Sequence, residues 1–133
     1  MSSAERVDRE DVPVAFVCSD DDHIQEAWAE LESRIPLRGN AFFGAFWPET
    51  QEYWACVRSG ERVEGLEHGT LPGGAYLRER LRGEPPGLYE QILPCVHRLD
   101  TAAGDTVDAS RPTIEHYRRH DELDVFVAVS PTA

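Results

Sequence analysis

Glu115 stands in the stretch Arg111-Pro112-Thr113-Ile114-Glu115-His116-Tyr117. Proline fixes its own backbone and pushes the preceding residue to an extended path. Beyond it Thr113, Glu115 and Tyr117 fall at period two, so in a strand they share one face, with Ile114 and His116 on the other. A carboxylate beside a tyrosine hydroxyl has the parts for two chemistries. It can hold a cationic group, or it can act as general base on a water while a hydroxyl steadies developing negative charge. Spacing alone equally allows an acid on the solvated strand face of an acidic protein. The aromatic residues Phe43, Trp47, Trp54, Tyr76 and Tyr117 are candidates to surround a bound cation, each good contact adding roughly 0.5–2 kcal/mol. Each also has an ordinary core reading. Tyr76 and Tyr117 stand out, because a buried hydroxyl needs a partner. Trp28, on the apolar face of a helix, is assigned to the core.

Other chemistries find less support. His116 and His120 are four apart, a zinc spacing on a helix, but they fall in a predicted hairpin, so no metal site is expected. Cys18, Cys56 and Cys95 are odd in number and scattered, neither a disulfide framework nor a zinc pattern. Gly73-Gly74 is a turn without a phosphate-loop context. No Ser-His-Asp or Cys-His pattern stands out, and no cofactor is expected.

The chain has 133 residues, enough for one domain with a real core. Its 25 acidic residues outnumber 13 basic ones, all arginine, for a net charge of −12. That balance argues against nucleic acid as a direct partner and against an anionic membrane surface. It can favour cationic ligands by focusing potential in a cleft. The polar start is not a signal peptide, and no apolar run is long enough to span a bilayer, so a cytoplasmic protein is expected.

Residues 1–11 read as a flexible arm and residues 12–133 as a single domain. Val12 to Val17 is a short apolar strand. Ile24, Ala27, Trp28, Leu31 and Ile35 then recur at helical spacing, predicting an amphipathic helix over about 22–34 that Pro36 and Gly39 close. Residues 41–47 and 53–58 form a hairpin about a turn at 48–51, and residues 59–70 read as a loop. After the turn at 71–74, residues 75–82 fit a strand by position. A second helix starts at 83–86 and carries Leu88, Ile92, Cys95, Val96 and Leu99. Pro94 within it predicts a kink or a shifted first turn. A polar loop over 101–110 leads to a closing hairpin. The order strand-helix-strand-strand occurs twice. The expectation is an α+β domain in which two βαββ repeats form one antiparallel sheet with two helices, leaving a ligand groove between the halves.

The chain resembles the GyrI-like small-molecule-binding family, the effector-binding domain of many AraC- and MerR-type multidrug regulators, which has a SOUL-like duplicated βαββ fold. The matching pieces run in order: residues 24–31, Phe43-Gly44-Ala45-Phe46, Tyr53, residues 70–76, Tyr89-Glu90-Gln91-Ile92, residues 111–117 and residues 122–129. The resemblance implies an aromatic pocket between the halves with Glu115 as its acid, meeting cationic or polar groups of a small molecule. It also implies an alternative, since some stand-alone members open the cyclopropane ring of DNA-alkylating natural products. There Glu115 acts as general base and a tyrosine, Tyr76 here, supports the oxyanion. A third reading is an interaction protein that inhibits DNA gyrase. No helix-turn-helix is seen, so a regulator would need a separate partner. Exposed sheet edges leave a homodimer open.

Overall fold

The computed structural model describes residues 4–131. In chain order the strands are β1 (Glu5–Arg9), β2 (Val12–Asp20), β3 (Phe42–Trp47), β4 (Glu52–Arg58), β5 (Glu67–Leu71), β6 (Gly74–Arg82), β7 (Thr113–Arg119) and β8 (Glu122–Ala128). Helix α1 (Ile24–Arg34) lies between β2 and β3; α2 (Gly87–Glu90) and α3 (Ile92–Ala103) lie between β6 and β7. All eight strands form one antiparallel sheet in the order β1-β6-β8-β7-β3-β4-β2-β5. The predicted duplication is explicit in this order. In each half the first strand pairs with the third, giving β2-β4-β3 and β6-β8-β7, and the halves meet where β3 pairs with β7.

The sheet is strongly curled, and short connections require it. β1 ends at Arg9 and β2 begins at Val12, yet these strands lie at opposite ends of the order. The same holds for β5, ending at Leu71, and β6, starting at Gly74. Two linkers of two residues can span that gap only if the sheet edges approach each other. The linkers touch: the Gly73 amide donates to Asp11 Oδ1 (2.6 Å). A β-carbon on Gly73 would stand 2.4 Å from the Arg9 carbonyl oxygen, so the crossing demands glycine.

Curling gives the sheet two unlike apolar faces. The concave face encloses Phe16, Phe43, Tyr76, Ile114 and Phe126. The convex face carries the helices. Ala27 and Leu31 of α1 pack with Tyr53, Ala55 and Val57, while Cys95 and Leu99 of α3 pack with Leu123, Val125 and Val127.

Three expectations need correction. Residues 5–9 of the expected arm form an edge strand, with Val7 inward beside the core and Glu5 paired to Arg78 (3.0 Å); residues 1–3 lie outside the described part. Residues 67–71 of the expected loop are β5, the other edge, where only Leu71 is fully buried. Edge strands with one wet face and few apolar side chains lack the pattern that betrays a strand. The second helix breaks at Gln91 into α2 and α3, and α3 continues to Ala103. Pro94 falls in the first turn of α3, where its missing N–H costs no helical bond, as expected of a shifted first turn.

His116 stacks on Phe43 in the concave face (centroids 4.5 Å apart). Burial, reinforced by Arg9, Arg118 and Arg80, lowers its pKa to about 4. Unfolded, an imidazole titrates near ~6.5. Its neutral form therefore contributes stability above ~6.5 that is lost as pH falls toward the folded value. A histidine NMR titration is expected to place His116 near pH 4. His116→Phe should lessen the loss of unfolding free energy between about pH 6.5 and 4.

Candidate functional site

The centre of the sheet is where the two halves meet, and there Gly44 of β3 faces Glu115 of β7 directly across the pair. Period two sends Thr113, Glu115 and Tyr117 to the helix-bearing face. α1 covers β2 and β4, and α3 covers β6 and β8, so neither helix roofs the β3–β7 joint. The uncovered trough is a cavity of about 830 Å³. Its floor is Phe42, Phe46, Tyr53, Thr113, Glu115 and Tyr117, and its walls come from α1, α2 and α3, among them Trp28 and Tyr89. Leu37, Tyr89 and Leu93, large apolar side chains exposed to solvent, also line it.

One oxygen organises the floor. Glu115 Oε1 accepts from the Tyr117 hydroxyl (2.5 Å) and the Tyr53 hydroxyl (3.1 Å). Trp28 Nε1 donates to the Tyr53 oxygen (3.0 Å). An indole N–H can only donate, so the direction of the chain is fixed: Trp28 gives to Tyr53, and Tyr53 gives its single proton to Glu115. Tyr117 spends its proton on the same oxygen. Glu115 Oε2 has no hydrogen-bond partner among the described residues, and the surface that Glu115 retains opens on the cavity. Trp28 also meets Tyr117 edge-on (5.3 Å), and Tyr89 meets Tyr117 at 6.3 Å, so rings surround the acid.

Gly44 makes this network possible. A β-carbon there would lie 2.5 Å from Glu115 Oε1 and closer still to the Tyr53 hydroxyl. The space a side chain would occupy is filled by the hydrogen bond that joins the two halves.

The site is electrostatically one-sided. Burial raises the pKa of Glu115, and the hydrogen bonds from Tyr117 and Tyr53 oppose that only in part. Both tyrosines are pushed well above their ordinary range, by burial first and then by the neighbouring carboxylate. Asp21 and Glu32 also line the cavity, and no arginine or histidine does.

Of the six residues singled out in the sequence, the fold brings Glu115 and Tyr117 together in this cavity. Phe43, Trp47, Trp54 and Tyr76 lie on the concave face instead. Trp54 stacks on Phe16 (3.8 Å), and Tyr76 is fully buried with its hydroxyl donated to the Pro72 carbonyl (2.6 Å). Tyr76 thus has the partner its burial required, but the partner is neither a ligand nor Glu115. Trp28, read from the sequence as core, is a cavity wall and a hydrogen-bond donor. Tyr53, Phe42 and Phe46 were not singled out from the spacing. The available signal was a glycine inside the aromatic run of β3: once Gly44 is paired with Glu115, period two assigns Phe42 and Phe46 to the acid's face and Phe43 and Trp47 to the other.

No family model matches the chain, and no curated protein matches it. Solved structures do. An integron cassette protein from the mobile metagenome of Vibrio cholerae superposes with a TM-score of 0.76 at 13% identity, covering 96% of this chain and 95% of that one. SAV2435, a protein solved bound to tetraphenylphosphonium, gives 0.72 at 15% identity, covering 96% and 94%. A hydrolase from Listeria innocua gives 0.60 at 13% identity, covering 96% and 91%. At these identities the likeness establishes the fold. Among the described residues no helix is long and apolar enough to cross a membrane.

Two outcomes follow from the geometry. Gly44→Ala should destabilise the fold by about 1–3 kcal/mol through overpacking, read by denaturant unfolding. Its backbone is not in the left-handed region, so the cost is contact alone. Glu115→Gln should do the reverse at neutral pH. A carboxyl whose folded pKa is raised contributes stability below its unfolded value (about 4.3), which is lost as pH rises through the folded value. The variant should therefore melt higher than wild type at pH 7 and not at pH 4.

Proposed function

We propose that the chain is a GyrI-like small-molecule-binding protein whose cavity holds an aromatic or amphipathic cation against Glu115, for sensing or sequestration. The observation that carries this reading is a buried carboxylate with one oxygen committed to two tyrosines and the other facing an aromatic cavity that no cationic side chain lines. Such an acid is stabilised by an incoming positive charge, which relieves its desolvation cost. The rings of Trp28, Phe42, Phe46, Tyr53, Tyr89 and Tyr117 supply the matching apolar and cation–π surface. The cavity volume lies within the range of drug-sized ligand sites. The tetraphenylphosphonium bound to a protein of the same fold is an aromatic cation of this kind.

The hydrolase reading draws on the same acid but is less well supplied. It needs a hydroxyl to donate to a developing negative charge. The protons of Tyr53 and Tyr117 are both given to Glu115, and the Tyr76 proton goes to a backbone carbonyl, so the donor would have to be Thr113 or the half-exposed Tyr89, the cavity hydroxyls without a hydrogen bond among the described residues. These arrangements favour holding over turning over.

Calorimetric titration with tetraphenylphosphonium tests the proposal. Wild type is expected to bind, with affinity falling as pH drops through the raised pKa of Glu115, because proton and cation compete for one carboxylate. Glu115→Gln should bind about tenfold or more weakly and lose the pH dependence. Equal affinity in the variant would remove Glu115 from the site. Incubation with a cyclopropane-bearing alkylator should give no turnover; multiple product equivalents per chain would establish the hydrolase instead.

A further inference from the structure

The concave face holds a second unbalanced charge, of the opposite sign. The Arg9 guanidinium reaches from β1 across the curled sheet to lie over Phe126 (4.3 Å to the ring centroid) and beside Phe43 (5.8 Å). Its hydrogen-bonding edge is unused. Among the described residues Arg9 has no hydrogen bond and no ion pair, and of the arginines in that condition it alone is withdrawn from solvent; Arg38, Arg58, Arg62 and Arg119 are exposed. Arg111 shows what a satisfied guanidinium on the same face looks like. It lies over Tyr76 (4.8 Å) and donates to Asp108 and to the carbonyls of Gly73, Ala75 and Val129.

The acids of β8 on the same face as Phe126, Asp124 and Glu122, are already paired with other arginines. Asp124 accepts from Nε and Nη2 of Arg80 (2.8 and 3.1 Å) and is approached by Arg118 (3.8 Å). Glu122 is shared among Arg80, Arg82 and Arg118. His116 stands against the same Phe43 ring, stays neutral at physiological pH and makes no hydrogen bond among the described residues, so one imidazole N–H is also uncommitted. Contact of Arg9 with the Phe126 ring leaves its N–H donors without a hydrogen-bond partner among the described residues, and a guanidinium fork with free donors can receive a carboxylate as a bidentate pair.

We propose that Arg9, with His116 beside it, forms a second ligand site on the concave face that takes a singly charged planar oxyanion, a carboxylate. The charge state follows from the surroundings: one guanidinium is unmatched, and a chain of net charge −12 penalises a multiply charged anion. The site is independent of the Glu115 cavity, which opens on the other face of the sheet.

The test is an NMR titration of the full chain with sodium acetate at pH 7, following the Arg9 Nε–H and His116 ring signals, with sodium chloride as the matched-ionic-strength arm. Saturable shifts of both signals with acetate but not chloride are expected. Arg9→Gln should weaken acetate binding about tenfold or more, read at His116, whereas Glu115→Gln should leave it unchanged. Arg9→Lys keeps the charge over the rings and guards against loss of fold; without the fork it should still bind acetate more weakly than wild type. Absence of saturation in wild type, chloride matching acetate, tighter binding of inorganic phosphate than acetate, or unchanged acetate affinity in Arg9→Gln would each overturn the proposal.

Discussion

A single carboxylate oxygen, Oε1 of Glu115, ties the two halves of this molecule together at the centre of the sheet. It accepts from Tyr117 on its own strand and from Tyr53 of the other half, and Tyr53 in turn accepts from Trp28 on α1. The hydrogen bonds pass through the space left by Gly44, the residue paired with Glu115 across the joint. The duplicated fold makes this position special. Each half brings its own helix to its own strands, so the joint between them is left unroofed, and the acid sits on its floor.

The arrangement is costly. A carboxylate withdrawn from water without a countercharge disfavours its own ionised form, and the two hydroxyls recover only part of what hydration provided. A protein selected for stability alone would place an apolar side chain there. The strain is specific, because one oxygen is fully committed and the other faces the cavity. The same deficit that weakens the fold is what the proposed cation would relieve, which would couple stability to binding through one group.

The curl of the sheet creates the second face and its own imbalance. Connections of two residues between strands at opposite ends of the order draw the edges together and turn the concave face inward over its aromatic core. That closure carries Arg9 from an edge strand to the rings of Phe43 and Phe126. The molecule thus holds an unmatched acid on one side of its sheet and an unmatched guanidinium on the other. Opposite faces of the same strands, β3 and β7, meet them: Gly44 and Glu115 toward the helices, Phe43 and His116 toward the interior beside Arg9.

The doubled strand-helix-strand-strand order, the amphipathic α1, the position of Pro94 and the placing of Glu115 beside Tyr117 were all legible in the sequence, because they are local. Helical and strand periodicities are set by the backbone over a few residues, and apolar patterning follows them. The edge strands β1 and β5 were not legible, since one wet face and few apolar residues leave no alternation to see. Nor was the membership of the cavity. Phe43, Trp47, Trp54 and Tyr76 are as aromatic as Phe42, Phe46, Tyr53 and Trp28, and periodicity separates two faces of a strand without saying which face receives the helices. That depends on which strands pair and how far the sheet curls. Register across β3 and β7 sets Gly44 against Glu115, and the placing of the helices makes that face the cavity. Spacing within the chain put Glu115 and Tyr117 on one strand face but left open whether that face is wet; tertiary structure decided that and chose the acid's companions, because contacts across a sheet are fixed by pairing between distant strands and not by spacing within any one of them.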